Sequence, residues 1–125
     1  MSLHIEQEQT GDVAVLQCYG RMVSSEALCL LRETVTTLSQ ARVIVLDLSE
    51  VTLVGARGLG MLVSLHNWAC AKGIQLKLVN PSKVVREMLE LTGLTAVLDI
   101  SSINDVIQMY CHSGRALEKV ERAAA

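Results

Sequence analysis

Gly55-Ala56-Arg57-Gly58-Leu59-Gly60 stands between a strand-like run, Val43–Leu48 continued by Val51–Val54, and an apolar helix. A helix that starts behind a buried strand is a natural place to hold an anion, because its first amides lack intrahelical partners and its dipole favours negative charge. Group-transfer chemistry at that turn would need a hydroxyl, thiol, carboxylate or imidazole. None of the six residues carries one. Arg57 instead sets a fixed cation at the positive end of the dipole, where its fork can pair with a carboxylate or phosphate on a partner. The same guanidinium could also simply point into water. The glycines match a phosphate loop only loosely, without the G-x-G-x-x-G order or the Lys-Ser/Thr pair of a P-loop.

The other chemistry-bearing residues are scattered. Cys18, Cys29, Cys70 and Cys111 contain no C-x-x-C pair and mostly lie in apolar runs, where cysteine acts as a small hydrophobe. His66 has neither His4 nor His112 near it in sequence, so spacing assembles no metal cluster and no nucleophile–base pair. Asp47 and Asp99 fall at the ends of predicted strands with no identifiable acid–base partner. No metal, no cofactor and no enzymatic activity are expected.

Leu3, Ile5 and Gln7 alternate with polar neighbours, and Val13–Tyr19 alternates again after Thr10-Gly11-Asp12, which predicts a hairpin closed by Gly20. Ser24 or Ser25 can cap a helix whose Leu28, Leu31, Val35 and Leu38 recur at helical spacing. Val43–Leu46 is a continuous apolar run, the pattern of a central strand covered on both sides or of one in a sheet buried mostly on one face. A second helix runs from Leu59 to about Lys72 with Gly73 as its cap, then a strand over Ile74–Val79. Asn80 as cap and Pro81 as first residue open a third helix, buried through Val84, Val85, Met88 and Leu89 and ended by Gly93. Val97–Ile100 is a short strand at most, and Ser101 or Ser102 starts a last helix with Ile103, Val106, Ile107 and Tyr110 on one stripe. One hairpin followed by crossover units predicts a mostly parallel sheet with an antiparallel N-terminal strand, and binding concentrates at the carboxyl ends of such sheets.

The second helix carries two apolar stripes: Leu59, Leu62, Val63 and Ala69, and then Met61, Leu65 and Trp68. One stripe suffices for a core, so the second is either more core or a partner surface. With 125 residues, half of them hydrophobic, the chain fits one domain. Its formal charge of -2 gives no phosphate-backbone footprint, and Tyr19, Trp68 and Tyr110 are too few for base-stacking platforms, so direct nucleic-acid binding is disfavoured. No apolar run reaches the ~18 residues of a membrane span and the N-terminus lacks a signal-peptide pattern, so a cytoplasmic location without membrane insertion is expected.

Val45-Leu46-Asp47-Leu48-Ser49, the glycine turn, Leu78-Val79-Asn80-Pro81 and Leu91-Thr92-Gly93-Leu94 together resemble the STAS family, the fold of anti-sigma factor antagonists. The likeness covers residues 3–112 as a single domain, with 113–125 a charged, partly helical tail. It implies an α/β fold with a central mixed, mostly parallel sheet of four to five strands and about four helices. It also implies a non-enzymatic signalling module whose partner is a kinase-fold anti-sigma factor, bound through Gly55, Ala56, Arg57, Gly58, Met61, Leu65 and Trp68. In familiar members the partner phosphorylates a serine of an Asp-Ser-Ser-Gly-Leu turn; here that position falls on Ala56, which has no oxygen to accept phosphate. Ser24 and Ser25 stand in a neighbourhood where some members carry a second phosphosite. An accessory subunit of an ABC-type transporter or of a multi-protein STAS assembly is the alternative role, an anion- or nucleotide-binding protein another, and a homodimer stays open.

Overall fold

A computed structural model describes residues 3–101. The elements in chain order are β1 (Leu3–Thr10), β2 (Val13–Met22), α1 (Ser25–Thr36), β3 (Val43–Val54), α2 (Ala56–Lys72), β4 (Gln75–Val79) and α3 (Lys83–Thr92), followed by a 3-10 turn over Leu94–Ala96. The last predicted helix and the tail lie outside the described residues.

The strands form one sheet in the order β1-β2-β3-β4. β1 and β2 pair antiparallel across a turn in which Gly11 takes φ 61°, and Arg42 fastens that turn to the start of β3, its Nε donating to Asp12 Oδ2 at 2.8 Å. β2 and β3 are parallel, as are β3 and β4, so α1 and α2 are the crossovers. Ile44, Leu46 and Leu48 of β3 meet Leu28, Leu31 and Val35 of α1 and Leu62, Leu65 and Ala69 of α2 in one aliphatic core. The opposite face of the sheet, Val13, Val15, Val43 and Val45, is buried as well, which is why β3 reads as an unbroken apolar run.

Several boundaries differ from the sequence reading. β2 does not stop at Gly20 but runs to Met22, passing Gly20 at φ 108° with shifts in its register against β3. Such an irregularity bends the strand end and needs a residue free of the Cβ penalty. α3 is capped by Ser82, not Asn80. Ser82 Oγ accepts the Val85 amide at 3.4 Å and donates to the Val51 carbonyl at 2.7 Å, so one hydroxyl caps the helix and fastens it to β3. Asn80 serves the turn instead, in the left-handed region at φ 49°. Of the predicted α3 face, Val85 and Leu89 are buried, Met88 is half-buried and Val84 is exposed. Beyond the 3-10 turn, Ile100 adds a single parallel bridge to Leu78.

Candidate functional site

The carboxyl ends of β2 and β3 lie side by side, with Met22 paired to Val54. The chain leaves both strands there into helices, so the N-termini of α1 and α2 open at the same end of the sheet. Three contacts hold them together. The Gly55 amide donates to the Met22 carbonyl at 3.3 Å. Gly58 sits so close to that carbonyl that a Cβ on it would lie 2.5 Å from the oxygen and 2.9 Å from Val54 Cγ2. Arg57 reaches across and donates from Nη2 to Ser25 Oγ at 2.8 Å.

The two helix starts are finished differently. Ser24 caps α1, accepting the Ala27 amide at 3.1 Å, with Glu26 in the first turn to suit the dipole. Gly55 begins α2 without a side-chain cap and with no acid in the first turn, and Arg57 occupies that turn. A cation there costs about 0.3–1 kcal/mol against the dipole. Ala56 and Arg57 are exposed, and Val23 and Leu53, 37% and 38% exposed, add apolar surface beside them.

The predicted contact residues separate in the structure. Ala56, Arg57, Ser24 and Ser25 are exposed at this end, and Gly55 is half-buried. Gly58 is buried, which corrects its assignment to a contact surface: the Met22 carbonyl, not a ligand, demands its missing side chain. The helix begins at Ala56 rather than Leu59, so Gly58 and Gly60 are helical residues and the glycine turn shrinks to Gly55. Further along α2, Met61 and Trp68 are half-buried while Leu65, 2% exposed, belongs to the core. Together with Arg32 and Thr36 of α1 and with Ser64, these three line an open groove of about 480 Å³ between the helices, Leu65 at its floor.

Elsewhere two carboxylates are tied into the fold, although Asp47 Oδ2 is buried without a hydrogen-bond partner. Asp99 pairs with Lys77 and accepts the Ser101 hydroxyl, which supplies the partner the sequence left unidentified. Asp47 is 2% exposed; its Oδ1 accepts the Ser49 amide at 2.9 Å and steadies the irregular middle of β3. Cys18 is buried in the core, and burial, with the Asp47 carboxylate nearby, pushes its thiol from the ordinary 9.0 up to about 12. Sequence reading missed one pair: His66 Nε2 and Cys70 Sγ stand 3.6 Å apart on α2. Their i, i+4 spacing was the available signal. Among the described residues no group of three or more His, Cys, Asp or Glu side chains converges, and no helix is long and apolar enough to cross a membrane.

The fold is thus a mixed four-stranded sheet with crossover helices, and the N-termini of α1 and α2 are paired at its carboxyl end. The STAS domain family model matches residues 4–108, and the chain belongs to that family. Among solved structures it is similar to the anti-sigma factor antagonist SpoIIAA of Bacillus in its unphosphorylated form, at 17% identity and TM-score 0.71 over 87% of this chain and 97% of the other. The phosphorylated form of SpoIIAA also matches, at TM-score 0.65. An anti-sigma factor antagonist from Mycobacterium paratuberculosis follows at 22% identity and TM-score 0.68, over 79% and 85% of the two chains. The protein TM1081 of Thermotoga maritima matches at 24% identity and TM-score 0.70, over 82% and 84%. At these identities the likeness establishes the fold. No curated protein matches the sequence.

Proposed function

We propose that the chain is a non-enzymatic partner-binding module of the anti-sigma factor antagonist kind, and that its contact with a kinase-fold regulator is not switched by phosphorylation of the α2 turn. The observation that carries this reading is the make-up of the α2 N-terminus: exposed Ala56 has no acceptor oxygen and Arg57 stands beside it, held by Ser25. A phosphate would bring a charge of about -1.5 to -2 to that spot. The chain carries a permanent positive charge there instead. An arginine retained against the helix dipole suits a role in recognition, with a carboxylate or phosphate of the partner as its counter-group. Exposed Val23 and Leu53, and Met61 and Trp68 in the groove further along α2, add apolar surface to that charge, the pattern of an interface with a polar anchor.

The test is a calorimetric titration of the source organism's kinase-fold anti-sigma factors into the purified chain and into Arg57→Glu. Binding by the wild type, weakened at least about tenfold by the reversal, equivalent to about 1.4 kcal/mol, is the expected result. Equal affinities would remove Arg57 from the interface, and absence of binding would remove this partner class.

A further inference from the structure

We propose that His66 and Cys70 form half of a zinc site, completed by the same pair from a second copy of the chain so that one metal ion bridges two α2 helices. Zinc in structural sites takes four nitrogen or sulfur ligands in a tetrahedron, with Zn–N about 2.0–2.1 Å and Zn–S about 2.3 Å. Those lengths at a tetrahedral angle set ligand atoms about 3.5 Å apart. His66 Nε2 and Cys70 Sγ are 3.6 Å apart, the separation of two ligand atoms along one edge of such a tetrahedron.

The surroundings leave room for the other edge. Cys70 is exposed and His66 half-buried, and both stand on the flank of α2 away from the groove shared with α1. Their neighbours on that flank, Val63, Asn67 and Ala71, are uncharged, and Arg57 and Lys72 at the two ends are the only Lys, Arg, Asp or Glu residues of the helix. Along α2 itself, two copies facing each other on this flank would therefore bring no like charges together. Among the described residues no third donor converges on the pair, so this part of the chain supplies two ligands of four. A twofold axis through the metal repeats both and gives a Cys2His2 set. Each imidazole binds through the Nε2 lone pair with its proton on Nδ1. Each thiol gives its proton to solvent, so one Zn2+ takes up two thiolates and two protons are released.

The test titrates the reduced, metal-free full chain with Zn2+ while light scattering follows its mass, and repeats it with Co2+ to read coordination from its spectrum. Expected are saturation at about one ion per two chains, a doubling of mass from 13.6 kDa that a chelator reverses, and the thiolate charge-transfer and intense visible bands of tetrahedral Co2+. His66→Ala and Cys70→Ser should each abolish both the bands and the dimer while the circular dichroism stays unchanged; Cys29→Ser should alter neither. A saturated chain that remains monomeric would overturn the proposal. So would bands that survive both substitutions, or bands that vanish in Cys111→Ser, which would place the remaining ligands in the same chain.

Discussion

Gly58 and Gly60 are two residues apart on one helix, yet a methyl group added to each meets opposite surroundings. At Gly58 it would strike the Met22 carbonyl, a backbone atom that cannot turn aside; at Gly60 nothing lies within 4 Å. Gly58→Ala should therefore destabilise the domain by about 1–3 kcal/mol, and Gly60→Ala should stabilise it by about 0.5–1 kcal/mol, both read from chemical denaturation midpoints. Sequence alone offered three glycines in a row of six and no means to tell them apart, because the distinction rests on a neighbour 36 residues earlier in the chain. The cysteines divide in a similar way. Cys18 is buried, whereas Cys29 and Cys70 are exposed, so alkylation at pH ~8, below the ordinary thiol range, should label the latter two in the native protein and Cys18 only on unfolding. The raised Cys18 value also fixes a sign. Below 9.0 the thiol is protonated in both states, and between 9.0 and about 12 only the unfolded chain gives up its proton, so this residue's contribution to stability is lost across that window. A wild-type stability loss above pH ~9 that Cys18→Ala reduces would bear this out.

At the scale of elements, α2 shows how one helix serves both core and surface. Leu65 lies at the floor of the interhelical groove and Trp68 on its half-exposed wall, although both fell on a single stripe in the sequence. Leu65→Ala should cost about 2–5 kcal/mol. Trp68→Ala should cost less than the ~3–5 kcal/mol of a fully buried tryptophan and leave thermal unfolding cooperative. Reversed ranks would mean that the core and groove assignments are wrong. α3 depends on Ser82 at its start, and Ser82→Ala should lower stability by about 1–2 kcal/mol, since it removes a cap and the hydrogen bond to the Val51 carbonyl together. Periodicity located each of these helices because their buried faces are long and regular, and Gly73 and Gly93 ended α2 and α3 where expected, at φ 71° and 73°. Their starts were less legible. Asn80 read as the cap, but Ser82 takes that role because its hydroxyl also reaches the Val51 carbonyl of β3. The alternation of β2 likewise gave no hint that the strand would bend at Gly20 and continue.

For the whole molecule, the order of hairpin and crossovers was legible in the sequence because parallel neighbours require helical connections, and those connections fix which strand ends share an edge. The consequence is functional. β2 and β3 end together, so α1 and α2 must begin together, and Arg57 meets Ser25 across 32 positions of sequence. That meeting could not be read from spacing, since neither residue marks the other. The His66–Cys70 pair is local and could have been. The Arg57→Glu variant separates fold from contact at this scale. It moves a favourable charge onto the helix dipole and loses one exposed hydrogen bond, so stability should hold or rise by about 0.3–1 kcal/mol even as partner affinity falls.

The most direct test of a contact without a phosphorylation switch compares the wild type with Ala56→Ser. Each is mixed with a kinase-fold anti-sigma factor that binds it, with and without ATP and Mg2+, and followed by affinity measurement and intact mass. The wild-type complex should be indifferent to ATP and gain no phosphate at the α2 turn, whereas Ala56→Ser should be phosphorylated and released. An Ala56→Ser variant that is neither phosphorylated nor released, behaving as the wild type does, would contradict a switch lost at position 56.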